Sequence, residues 1–209
     1  MVPLSLITAR ARTKFEQQSA TRWPDAAFHK AINEGLDELS EATHFYERVV
    51  SIPVVPDRIY YDLRGYIPDD FISVRAVWSV TLDDWLDPTT PEKLHQRWEE
   101  TVGDPYAYFT RGWNWLGVYP HPENSSTSVL RVYFSSLAPH FLHPQAVLSD
   151  LTDDFTRALE DYAVYDLQCQ DGETDKALVN WAAFSTRQQR LAGFVNQRAR
   201  SAGNIGGRR

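Results

Sequence analysis

Residues 104–122 read DPYAYFTRGWNWLGVYPHP, which places six aromatic residues (Tyr106, Tyr108, Phe109, Trp113, Trp115, Tyr119) in nineteen positions, with a break at Arg111-Gly112. Tyr106 and Tyr108 alternate before the break; Trp113, Trp115, Gly117 and Tyr119 alternate after it. A period of two marks a strand with distinct faces, and a glycine between two such runs is free to take the positive φ of a tight turn. Asp104-Pro105 opens one arm and Pro120-His121-Pro122 stops the other, because proline has no N–H to give a sheet ladder. The stretch predicts a β-hairpin in the middle of the chain.

Outward from the hairpin, strands come first and helices after them. On the N-terminal side, Val50, Ile52 and Val54 alternate with Ser51 and Pro53, and Ile59 to Leu63 follows a Pro56-Asp57 turn. From Phe71 to Thr81 the alternation places Ile72, Val74, Ala76, Trp78 and Val80 on one face, with Ser73, Arg75 and Ser79 mostly opposite, as in a sheet with one wet face. Thr90-Pro91-Glu92 predicts a short helical insert running to about Trp98. After the hairpin, Val129 to Ser135 is the last strand. Helical patterns lie beyond. Pro3 to about Gln18 favours helix, and Trp23-Pro24-Asp25 starts a second one, in which Phe28, Ile32, Leu36, Leu39 and Thr43 recur at steps of three and four. Thr152-Asp153-Asp154 starts a third, with Phe155, Leu159, Tyr162 and Cys169 on one stripe and Ala163 and Leu167 beside it. Asp171-Gly172-Glu173 breaks it, and a fourth runs through Leu178, Trp181, Leu191 and Val195.

The fold expected is α+β: helical ends (1–47 and 150–200) packed as one domain, and an inserted antiparallel β-sandwich or barrel-like domain (48–149) of five or six strands. Residues 201–209, with three glycines, are expected to be a flexible tail.

The 209 residues are 43% hydrophobic and 23% charged, the balance of an ordinary globular protein. One cysteine, Cys169, excludes an internal disulfide framework and fits a reducing compartment; on its stripe it reads as a small core residue. No apolar run is long enough for a membrane span, and the cations Arg10, Arg12 and Lys14 follow Leu4-Ser5-Leu6-Ile7 instead of preceding it, unlike a signal peptide. The net charge of −7 is unevenly spread. From Ala177 to Arg209 there are six arginines (187, 190, 198, 200, 208, 209) and no acid, while the rest of the chain holds 15 basic and 28 acidic groups. An acidic body with a basic end predicts that the end docks on a negative surface.

Chemistry is poorly served. His140 and His143 have a chelating spacing, but Pro139 and Pro144 bracket them in a loop. Asp69-Asp70, Asp83-Asp84 and Asp153-Asp154 lack the following acid-x-Lys of a metal-dependent nuclease and suit turns and helix starts. There is no phosphate loop and no nucleophile elbow. No catalytic, metal or cofactor residue is assigned. A glycan-binding module remains as an alternative, with Trp113 and Trp115 as neighbours on one sheet face where a sugar could stack.

Five segments carry a family likeness: WPDAAFHKAINEGLDEL (Trp23 to Leu39), RIYYDLRGYIPDDFISVRAVW (Arg58 to Trp78), GDPYAYFTRGWNWLGVYPHP (Gly103 to Pro122), LRVYFSSLAP (Leu130 to Pro139) and LTDDFTRALEDYAVYDL (Leu151 to Leu167). In content and order they resemble the head-to-tail adaptor, or connector, proteins of tailed bacteriophages, of the tail tubular protein A type found in short-tailed phages. The resemblance implies a non-enzymatic virion protein made in the bacterial cytoplasm and placed at the neck. It implies a dodecameric ring between portal protein and tail or nozzle protein, around a channel through which DNA passes without sequence-specific binding. The helical domain would dock on the portal, with Arg187, Arg190, Arg198, Arg200, Arg208 and Arg209 as the tail that binds it. The hairpin residues Tyr108, Arg111, Trp113, Trp115 and Tyr119 would serve a tail-side or subunit interface.

Overall fold

A computed structural model describes residues 2–16, 22–123, 128–147 and 152–203, of which 198–203 are described by backbone alone. The fold is α+β, with helices at both ends of the chain and two four-stranded sheets between them. It divides into two compact units, one spanning Met1–Tyr46 and Leu137–Ser201 and the other built on Glu47–Ser136.

The helical unit holds α1 (Leu4–Glu16), α2 (Asp25–Thr43), α3 (Asp153–Gln170) and α4 (Thr174–Gly203). Each buries a stripe at three-and-four spacing: Leu4, Ile7, Ala11 and Phe15; Phe28, Ile32, Leu36 and Leu39; Phe155, Leu159, Ala163 and Leu167; Ala177, Phe184 and Leu191. The predicted face of the second helix is therefore the buried one. His44 ends α2 in the left-handed conformation, its N–H donating to Ser40 O. Cys169, expected in the core, is exposed, because it lies one residue beyond the turn that buries Leu167 and Gln168. The fourth helix extends to Gly203 instead of yielding to a tail at 201; residues 204–209 lie outside the described residues.

The segment after the last strand, assigned to the β-domain from sequence, packs on the helical unit. Phe141 and Ala138 join its core, Phe141 N donates to Asn33 Oδ1 at 2.9 Å, and Ala138 N donates to the buried Ser40 hydroxyl at 3.2 Å.

Among the described residues the second unit has eight strands: β1 (Glu47–Pro53), β2 (Tyr60–Asp62), β3 (Phe71–Ser79), β4 (Asp84–Trp85), β5 (Asp87–Pro88), β6 (Ala107–Arg111), β7 (Trp115–Tyr119) and β8 (Val129–Ser136). The count exceeds the five or six expected because β4 and β5 are two-residue strands with no readable alternation. One sheet has the order β1-β8-β3-β4 and is antiparallel throughout; the other, β2-β7-β6-β5, is antiparallel except for β5 beside β6. Ile52, Val77, Leu130, Val132 and Phe134 of the first sheet share a core with Tyr61, Tyr108, Leu116 and Val118 of the second, so the two pack face to face as a sandwich. β6 and β7 form the predicted hairpin, paired from Ala107 opposite Tyr119 to Arg111 opposite Trp115, with Gly112 at φ 58° in the turn.

Two expectations fail here. β3 does not keep one alternating face: its register against β8 shifts between Phe71 and Ser73 and again between Val74 and Ala76. The residues packed inward are Phe71, Val74 and Val77, while Val80 is 40% exposed. Each bulge adds one residue to the strand and turns the following side chains to the other face. The insert expected to be helical forms two three-residue 3-10 turns, Pro91–Lys93 and Trp98–Glu100.

Candidate interaction surfaces

On the outer face of the hairpin sheet, side chains alternate with the inward Tyr61, Leu116 and Val118. Tyr60 and Phe109 flank Gly117 there, and Arg111 lies opposite Trp115. The Pro91–Glu100 segment covers part of this face. Trp98 packs edge-on against Phe109 at 5.3 Å and against Tyr60 at 6.5 Å, and His95 packs against Tyr119 at 6.1 Å. Phe109 is thereby buried to 1% exposure.

What stays open is the turn end of the hairpin. The Arg111 guanidinium lies 5.8 Å above the Tyr60 ring and donates to the Tyr60 hydroxyl at 3.4 Å. With Gly112 and Trp115 these residues line a shallow depression of about 300 Å³. Trp113, in the turn, is 71% exposed, more than any other aromatic residue among those described. Trp113 lies in the turn and only Trp115 in a strand, so the two are not neighbours on one sheet face. Tyr108 and Tyr119, expected at an interface, are each 7% exposed. The Tyr108 hydroxyl donates to Arg75 O at 3.3 Å, and burial raises its pKa. Tyr108 packs in the sandwich core and Tyr119 is covered by His95 and Tyr106, so the exposed residues at the hairpin turn are Arg111, Trp113 and Trp115.

A second aromatic surface was not legible in the sequence. On the outer face of the other sheet, Trp85 packs against Trp78 and against Tyr133, both at 5.1 Å, and Val49, opposite Tyr133 in the register, is 55% exposed. Asp83 and Asp84 stand exposed at the turn that brings Trp85 back along β3, whereas Asp87 lies in β5 of the hairpin sheet. The signal available was a pair of tryptophans on either side of Asp83-Asp84; the bulges hid which way Trp78 faces.

The arginine-rich end is only partly a free cationic surface. Arg187 Nε donates to Asp161 Oδ2 at 2.7 Å, and Lys14 also donates to Asp161, whose side chain is 7% exposed. This pairing ties α4 to α3 and α1. Arg190 is exposed. Arg198 and Arg200 lie in α4 with side chains outside the description, and Arg208 and Arg209 lie outside the described residues altogether. Among the described side chains of this helix, Leu178, Val179 and Phe194 are large apolar residues left exposed.

The residues weighed for chemistry have ordinary structural partners. His140 Nε2 lies 2.9 Å from both carboxylate oxygens of Asp37, and Asp70 pairs with Arg48 at 3.4 Å. Asp153 is held below its usual pKa by hydrogen bonding to Arg10. Among the described residues no group of His, Cys, Asp or Glu could hold a metal ion, and no helix is long and apolar enough to cross a membrane. A family model described as SU10 adaptor protein matches residues 3–208. No curated protein matches the chain.

Proposed function

The chain belongs to the SU10 adaptor protein family, a structural phage adaptor of the virion neck, and from that premise we propose that it forms a ring joining portal protein to tail. The observation that carries this reading is the family match, which runs through both the helical and the β unit. The finer picture is a dodecameric ring of the tail tubular protein A type, lining part of the DNA channel. The helical unit docks on the portal through the arginine-rich end, and the hairpin meets the tail or nozzle protein.

Physical features support this reading. An assembly repeats each contact around its axis, so modest single interfaces add up. A channel wall needs to repel DNA, and the chain outside 177–209 is strongly acidic. The helix that carries the arginines is anchored at Arg187, one turn before the exposed Arg190.

The test is deletion of 198–209. A folded protein that no longer co-sediments with portal rings is the expected outcome; full retention of binding rejects the docking role of that end. Trp115→Ala should weaken tail attachment at unchanged stability, and unimpaired attachment would remove that residue from the contact.

A further inference from the structure

We infer that the β-unit carries both halves of a contact between neighbouring copies of this chain, the hairpin end of one copy seated on the Trp78–Trp85–Tyr133 face of the next. The inference rests on the ring reading and names the surfaces that would close it. The two patches lie on opposite outer faces of one sandwich: Trp78 points away from the core that Val77 fills, and Tyr60 and Trp115 point away from the core that Tyr61 and Leu116 fill. Residues on opposite faces of a packed sandwich do not meet within a molecule. Their contact is heterologous, and a heterologous contact generates rings or filaments, never a closed two-fold dimer.

Charge and chemistry match across such a joint. The hairpin end presents Arg111, which contacts Tyr60 and lies opposite Trp115, beside the exposed Trp113 of the turn. The opposite face presents the half-open Trp85 with the exposed Asp83 and Asp84 at the β3–β4 turn, and Arg131 stands on the far side of Trp78, so the acidity lies on the β3–β4 side. Tryptophan, tyrosine and arginine are the side chains that most often dominate interface energy, and an arginine placed among aromatics and facing carboxylates fixes both position and direction.

Crosslinking tests the joint in the full-length chain. In a Cys169→Ser background, one preparation carries Trp113→Cys, at the hairpin turn, and another carries Leu82→Cys, at the acidic turn; Trp115 and Trp85 are left in place. At about 100 μM, where micromolar contacts are saturated, a short bis-maleimide should link a mixture of the two into dimers. Neither preparation alone should give dimers, and a chain with both cysteines should give a ladder. Adding Arg111→Glu should reduce the ladder roughly tenfold, and Asp84→Lys should restore it. Dimers from either single-cysteine preparation, no product in the mixture, or no rescue by the paired reversal would each overturn the inference. It fails separately from the adaptor reading. A chain that binds portal rings without these crosslinks loses only the joint; crosslinks without portal binding leave the joint standing.

Discussion

Gly117 faces the ring of Phe109 where a side chain would stand: a Cβ there would lie 2.3 Å from the ring carbons. Since that ring is held by Tyr60 and Trp98, Gly117→Ala should cost about 1–3 kcal/mol in urea unfolding through overpacking. Gly35 in α2 makes the corresponding close approach to Tyr162 of α3, with a built Cβ 2.8 Å from the ring. Alanine gains about 1 kcal/mol of helix propensity at such a site and loses about 1–3 kcal/mol to crowding, so Gly35→Ala should destabilise. In a Tyr162→Ala background the crowding is absent, and the same change should stabilise; a sign that does not reverse would separate glycine and ring. Tyr162 is itself pushed up to about 12, first by burial and then by the charges of Glu38, Asp166 and Glu34. Its folded value lies above the ordinary 10.0, so its contribution to stability is complete below that pH and is lost as pH rises through about 12. Melting temperatures of Tyr162→Phe should fall less steeply over that window than those of the parent.

Elements carry the next set of consequences. The Pro91–Glu100 segment lays Trp98 over the hairpin sheet, and Trp98→Ala, by removing two edge-on ring contacts, should cost about 1–3 kcal/mol and redden tryptophan fluorescence. In α3, Asp161→Ala leaves Lys14 and Arg187 without their shared carboxylate; a loss of about 2 kcal/mol, smaller at high salt, is the expected result in thermal unfolding. At this scale the legibility of the sequence was uneven for physical reasons. The face of α2 and the hairpin could be read because each is regular along its length, and periodicity is a property of regular elements. β3 could not, since two extra residues reset its phase and no side chain announces a bulge. Trp78 was therefore placed on the right strand with the wrong neighbours, and the aromatic surface it shares with Trp85 and Tyr133 was missed. Tyr108 and Tyr119 were over-read. Alternation gives faces, but their burial depends on elements that cover them, as the Pro91–Glu100 segment covers Tyr119 through His95.

At the scale of the whole molecule, two hydrophobic cores share no residue: one gathers side chains from residues before 47 and after 136, the other only from between. The switch from helical to two-residue periodicity and back outlined the α+β order of elements; the boundary at Leu137 was not legible, since nothing in the segment after the last strand announces that Ala138 and Phe141 anchor in the helical core. The strands that lead into and out of the β-unit are paired neighbours, Glu47 opposite Ser135, which sets the two ends of the inserted chain only about 5 Å apart. Replacing 47–136 by a linker of about four residues should then leave a helical protein that unfolds cooperatively; loss of helical circular dichroism would contradict the independence of the cores. The same narrow doorway has a genetic meaning. Two crossovers, one at each residue of a single cross-strand pair, would exchange the whole β-unit as a cassette and leave the helical half unaltered.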